Sequence, residues 1–324
     1  MFTNGIAWLR QEISDLRRER QQRRDLLESV EAVVEIADPL IRLSSRYRKN
    51  LMPSLATATT YCNGLVRMIP GPVRLHPKTY ADDPQVKPLF LSTAEVENVL
   101  RQVRQADIPG TEPELFALLT MTRTEKTVYG HQQQGEMTLR DVPMQAVTFV
   151  DHRLVEPAAS LEAARSRLER RSLELLAIVA MERIATLKAN LSELRERRER
   201  LTSMHRILCG KRQTFEILCQ PDQQHAEKIR ELKTLLAETE KEIEQARKEL
   251  EPPNDTLAHL KRVLELPAAI LTLHHQSLRL NWMNVIVDDQ EESEAHDLEL
   301  AELTLNNDLQ RSAILVSLAR QDLV

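Results

Sequence analysis

Four residues near the middle of the sequence have the types that bind a metal: His205, Cys209, Cys219 and His225. Two thiolates and two imidazoles suit tetrahedral Zn²⁺. His205 and Cys209 are four residues apart and share a helix face, and the other pair lies beyond Gly210. The set contains no C-x2-C pair, however, and its spacing matches no standard zinc knuckle. A packing explanation competes with the metal. His205 occupies a d position of a heptad ladder, and the ladder continued past Leu208 through Arg212 and Phe215 reaches Cys219. Cysteine at a core position behaves as a small hydrophobe. The core reading is the stronger, and no metal or other cofactor is assigned.

A second set has acid and base character: Arg123, Glu125, Asp141, Asp151 and His152. Asp151 and His152 are neighbours on a strand-like segment, so they point to opposite faces and do not line one pocket without a bulge. No G-x-S-x-G, H-E-x-x-H or phosphate-loop pattern accompanies them, and the chain has only seven glycines with which to build such loops. No residue is therefore assigned as catalytic. His274 and His275 precede an alternating segment, which turns one in and one out.

The third set is basic. Arg42, Arg46, Arg48 and Lys49 form the best anion-binding candidate, with Arg67, Arg74, Lys78 and Lys87 downstream. Tyr47 and Tyr80 are too few aromatics for a base-stacking platform. The RRERQQRR run at 17–24 also suits nucleic acid, but Glu19 and Asp25 punctuate it. Long arginine stems cover helical seams with their heads in water. Residues 38–88 carry eight Lys/Arg against three Asp/Glu, whereas residues 252–324 carry five against twelve. The basic segment can therefore be satisfied by the chain's own acidic third or by a second copy.

The elements that must hold these residues are dominated by heptads. One ladder reads Leu173, Ala177, Ala180, Ile184, Leu187, Leu191, Leu194, Arg198, Leu201, His205 and Leu208. After a break near Pro221 it resumes as Ile229, Leu232, Leu236, Thr239, Ile243, Ala246 and Leu250. Alternating steps of four and three are the a/d pattern of a supercoiling helix. Two such helices with a short connection fold back most simply as an antiparallel hairpin arm. A third ladder runs over 5–37 and stops at Asp38-Pro39.

Between these ladders the period changes. Pro53 opens an expected helix to about Ile69, ended by Pro70-Gly71-Pro72, and a capping box at Ser92–Glu95 opens another to about Ala106. Segments 115–130, 136–142 and 145–157 alternate by two and predict two or three antiparallel strands. Segment 269–289, with Leu278, Leu280 and Trp282 on one face, and segment 297–305 predict more. Segment 312–324 fits a strand or a helix.

The expected architecture is α+β and predominantly α-helical. A long antiparallel coiled-coil hairpin (161–251) is inserted into a small mixed or antiparallel sheet body (111–160 and 252–324). A heptad helix (1–37) and a helical region with proline-rich loops (38–110) precede it. Aromatics at 3% against 42% hydrophobic residues agree with a helix-rich chain. Three cysteines, the lack of an apolar leader and the lack of an 18-residue apolar run predict a cytoplasmic protein without a membrane span. The function expected is that of a non-enzymatic adaptor or scaffold. Its arm would bind a protein partner or a second copy, through a seam of Leu173, Ile184, Leu187, Leu191, Leu194, Leu201, Ile229, Leu232, Leu236, Ile243 and Leu250. Nucleic-acid association through 17–24 and 42–49 is the alternative, and an enzyme with a site on the sheet is the third reading.

Overall fold

The computed structural model describes residues 20–21, 23–104, 112–134, 137–218, 223–250, 253–287 and 295–323. Its elements are α1 (23–37), α2 (Tyr47–Arg67), β1 (Val73–Leu75), α3 (Thr93–Arg104), β2 (Glu114–Gln134), β3 (Met137–Ala158), α4 (Leu161–Leu218), α5 (Gln223–Glu249), α6 (Asn254–Glu265), β4 (Leu271–Leu280), β5 (His296–Leu305) and β6 (Leu309–Ala319). The fold mixes helix with a largely antiparallel sheet. Among the described residues no helix is long and apolar enough to cross a membrane. Two compact units result, Met1–Ala56 with Ala177–Glu265 and Thr57–Leu176 with Leu266–Val324. The divisions fall inside α2 and α4, so the segment 161–251 begins in one unit and continues in the other.

In the sheet-bearing unit the strand order is β3-β2-β6-β5-β4, with β1 parallel to the second half of β6. The strands before and after the helical segment therefore share one sheet, joined where Glu114–Met121 of β2 pairs with Ser312–Ala319 of β6. The two outer strands are tied together as well. The chain turns after β4 so that Ile286 bridges back to Leu280 and Val285 bridges to Ala146 of β3. Val147 N–H donates to Asn284 O (2.8 Å) and Ile286 N–H to Gln145 O (2.8 Å). This segment covers a short stretch of each outer edge, where open strand edges would otherwise template unwanted pairing.

One face of the sheet holds the main core. Leu115, Leu119, Met121, Phe149, Leu278, Leu298 and Val316 pack with Val96, Val99, Leu100 and Val103 of α3. Residues 312–318 of β6 are buried without interruption, because Ala313 and Leu315 are covered on the opposite face. A strand covered on both faces loses its polar/apolar alternation. That loss is why 312–324 read equally as strand or helix.

Several expected boundaries move. The helix expected to open at Pro53 begins at Tyr47, with Pro53 inside it. As the seventh residue of the helix, Pro53 lacks the N–H for the carbonyl four residues back and its ring crowds that carbonyl. In a helix interior this costs about 3 kcal/mol, which the packing of Leu51, Leu55 and Ala58 must offset. Segments 136–142 and 145–157 are one strand, because β2 and β3 pair from Phe116/Ala158 out to Gln134/Met137, with register shifts absorbing the irregularities. The strand expected over 269–289 stops at Leu280, and Trp282 is not on its buried face but 71% exposed on a turn. Asn281 Oδ1 accepts from Met283 N–H and Val285 N–H and reverses the chain there. At Gly71, φ is +102° and an added Cβ would lie 2.4 Å from Leu315 O, so only glycine lets Pro70 O accept from Leu315 N–H and lead β1 onto β6.

In the other unit Val30, Val33, Val34 and Ala37 of α1 are buried, as are Leu257, Leu260, Val263 and Leu264 of α6. Of the heptad helix expected over 5–37, residues 5–19 and 22 lie outside the described residues, and 20–21 and 23–37 are helical. Asp38 accepts from Leu40 N–H (3.0 Å) and pairs with Lys188 of α4 (2.7 Å), joining the end of α1 to α4.

Candidate interaction arm and the polar clusters

α4 has 58 residues, roughly 87 Å at the α-helical rise. It continues through Gly210 to Leu218, since one glycine costs about 1 kcal/mol and its neighbours are good helix formers. From Ile184 to Leu208 the side chains withdrawn from solvent are Ile184, Leu187, Leu191, Leu194, Arg198, Leu201, His205 and Leu208, all heptad positions. From Ile229 onward on α5 the corresponding set is Ile229, Leu232, Leu236, Thr239, Ile243 and Ala246, with Leu250 just beyond its end. Ile184 (2%), Ile229 (5%) and Ile243 (5%) are nearly inaccessible in the single chain. Arg197 of α4 and Glu242 of α5 pair at 3.8 Å, so the helices lie side by side at that level. Thr239 is buried in this apolar row, and its hydroxyl donates to Leu235 O (2.8 Å). Nearer the root, Leu173 is buried in the other unit.

Outward from the seam, Met204 and Ile207 are 55% and 57% exposed. They line a groove of about 510 Å³ with Glu196, Glu199, Arg200 and Ser203. Large apolar side chains on an outward helix face are what a docking surface requires.

The proposed metal set is only partly visible. His205 Nε2 and Cys209 Sγ are 3.6 Å apart across one helical turn. Cys219 and the side chain of His225 lie outside the described residues. Among the described residues no cluster of three or more metal-ligating side chains forms.

The acid/base set separates. His152 turns inward, stacks on Phe90 (4.6 Å between ring centroids) and contacts Leu89 O through Nε2 (2.7 Å). Burial lowers its pKa. Asp151 turns the other way, with φ +54°, and meets Arg311 at 2.6 Å and Arg153 at 3.3 Å. Hydrogen bonds from Arg311 and Arg153 hold its carboxyl below the usual range. Gln102 of α3 braces the bend by donating to His152 O (3.1 Å) and accepting from Leu154 N–H (3.2 Å). Arg123 bonds Gln276 and pairs with Glu125 (2.7 Å), while Asp141 is exposed with φ +57°. Within the set only Arg123 and Glu125 pair with each other, and they line a cleft of about 530 Å³ with Glu302 and Arg311. His274 and His275 are both exposed, and His275 lies 3.9 Å from Glu299.

The basic run meets an acidic hub in its own unit. Glu31 receives Tyr47 Oη–H (2.7 Å), Arg48 (2.8 Å) and Arg42 (3.3 Å), and Arg42 also pairs with Glu35 (2.7 Å). Burial alone would raise the Glu31 pKa, but donation from Tyr47, Arg48 and Arg42 brings it below the ordinary value. Arg46 and Lys49 are exposed and make no ion pair among the described residues. Glu31 and Glu35 went unnoticed in sequence, although they are spaced to share one face of a helix that ends beside Arg42.

The fold and these clusters define an α+β protein with a helical segment set between strands of one sheet. Comparison with family models, characterised proteins and solved structures finds no match.

Proposed function

We propose that the protein is a non-enzymatic interaction protein, in which α4 and α5 form an antiparallel coiled-coil arm that engages a protein partner or a second copy. The observation that carries this reading is the coincidence of burial with the heptad positions on both helices. Because that seam is filled from within the chain, partner contact falls on the outward face at Met204 and Ile207. Seam residues such as Leu187 and Leu236 act one step back, by holding the arm straight. Supporting the reading, Arg123 pairs with Glu125, Asp151 with Arg311, and His152 is turned away to the Leu89 carbonyl. Nucleic-acid association is less well supported, because Arg42 and Arg48 are neutralised by Glu31 and Glu35.

The test is sedimentation velocity of the full chain over a concentration series, alone and with proteins recovered on it from its native cell. The double substitution Met204→Asp/Ile207→Asp abolishes association at unchanged helical circular dichroism. Leu187→Asp lowers both helicity and association. Association undiminished by the double substitution would remove the outward face as the interface. Undiminished association after loss of 162–250 would remove the arm.

A further inference from the structure

Arg74, set aside in sequence as an outlying member of the basic group, stands on β1 at the register position of Ser317. It is exposed and makes no ion pair or side-chain hydrogen bond among the described residues. Across a cleft of about 520 Å³ stands Arg320, just past the end of β6, with Pro113, Glu114 and Gln321 completing the walls. Arg320 is held in place from two sides: its N–H donates to Pro113 O (2.8 Å) and its Nε–H to Glu112 O (3.0 Å). Its Nη2 is nevertheless buried with no acceptor. That buried nitrogen is turned away from solvent, so what the cleft offers is the rest of the fixed Arg320 guanidinium opposite the unpaired Arg74, two cationic donor groups with no carboxylate paired to either among the described residues.

We infer that this cleft binds a small oxyanion, a phosphate or a carboxylate, between the guanidinium groups of Arg74 and Arg320. A planar guanidinium presents parallel N–H donors that match two oxygens of either anion. The Glu114 carboxylate is the one like charge in the wall, and it sets the affinity low. Asp322 makes no ion pair with Arg320 among the described residues: its Oδ1 lies 3.5 Å from His76 Nε2, its main-chain oxygen accepts from Arg104 (3.5 Å), and its Oδ2 is itself buried without a hydrogen-bond partner. The site is independent of the arm.

The test is calorimetric titration of the full chain with sodium phosphate and, separately, sodium acetate, against sodium chloride at matched ionic strength. Saturable binding of phosphate, of acetate or of both is expected, and the pattern identifies which oxyanion the cleft takes. Arg74→Ala weakens binding about tenfold or more, since half of the charge-assisted donor set is lost. Arg320→Lys keeps the charge but loses the fork and also weakens it, whereas Glu114→Gln tightens it. Lys49→Ala, in the other unit, changes nothing. Arg74 and Glu114 are exposed, so their variants stay folded even if Arg320→Lys does not. No saturable binding of either anion, or binding indifferent to both Arg74→Ala and Glu114→Gln, would overturn the assignment.

Discussion

The guanidinium of Arg311 grips Asp151 twice, donating from Nη1 to its carboxylate at 2.6 Å and from Nη2 to its main-chain carbonyl at 2.8 Å. Nη1 also reaches the Thr122 hydroxyl at 2.7 Å, so one side chain of β6 ties together β2 and β3 at the register shift between Thr120 and Thr122. Asp151 holds a left-handed backbone conformation there, which needs local support in a residue other than glycine. Arg311→Met lowers the thermal midpoint of the sheet-bearing unit, and Asp151→Asn, which keeps the carbonyl contact, lowers it less. Calorimetric scans of the two variants give the order. Equal losses would mean that the carboxylate alone carries the contact.

His152 gives a pH dependence of defined sign. Burial, opposed by the Leu89 carbonyl and by the charges of Glu95 and Asp151, leaves its folded pKa lowered, while the unfolded imidazole titrates near about 6.5. The unfolded state binds more proton between the two values, so stability falls as pH drops below about 6.5 and levels off below the folded pKa. His152→Phe keeps a ring against Phe90 and removes this slope. Urea unfolding at several pH values between about 5 and 7.5 measures it, and an unchanged slope in the variant would assign the effect to another group.

Thiol reactivity separates two cysteines. Cys62 is fully buried, and burial, with the nearby Glu169 charge, pushes its thiol up to about 12. Cys209 is partly accessible on α4. In native protein at neutral pH, iodoacetamide therefore modifies Cys209 while Cys62 stays unmodified until denaturant is added. Peptide mass spectrometry resolves the sites. Native labelling of Cys62 would show that α2 opens locally.

Ile243→Ala tests the seam energetically. A nearly inaccessible isoleucine truncated to alanine costs about 2–5 kcal/mol through lost transfer energy and a residual cavity. Thr239→Val leaves stability unchanged or higher, since the Leu235 carbonyl that loses the hydroxyl still has the helix backbone. Helicity followed through urea unfolding gives both values, and a neutral Ile243→Ala would mean that α5 is not packed along this row.

Gly71→Ala is disruptive out of proportion to its size. The methyl group would collide with Leu315 O, and φ +102° is disfavoured for any L side chain. The expected loss exceeds about 1 kcal/mol and is confined to the sheet-bearing unit. Hydrogen exchange at the Leu315 amide reports it directly.

The local regularities of this chain were legible from residue order alone. Spacing alone marked the residues that are withdrawn from solvent on α4 between Ile184 and Leu208 and on α5 from Ile229 onward, because helical periodicity fixes which residues share a face. Period-two alternation likewise found β2, β3 and the start of β4, and local capping chemistry found α3. What depends on partners far along the chain was decided by tertiary structure alone. Whether 309–319 is a strand hinged on its lying between β2 and β5, where burial on both faces erases the alternation. Trp282 left the face it was expected to share with Leu278 and Leu280 because the chain turns at Asn281 and bridges to β3. Asp151 acquired Arg311 from 160 residues away, Arg42 and Arg48 were claimed by Glu31, and Arg74 was brought across a cleft from Arg320. Periodicity records which face a side chain presents. Only the assembled fold sets which charge waits there.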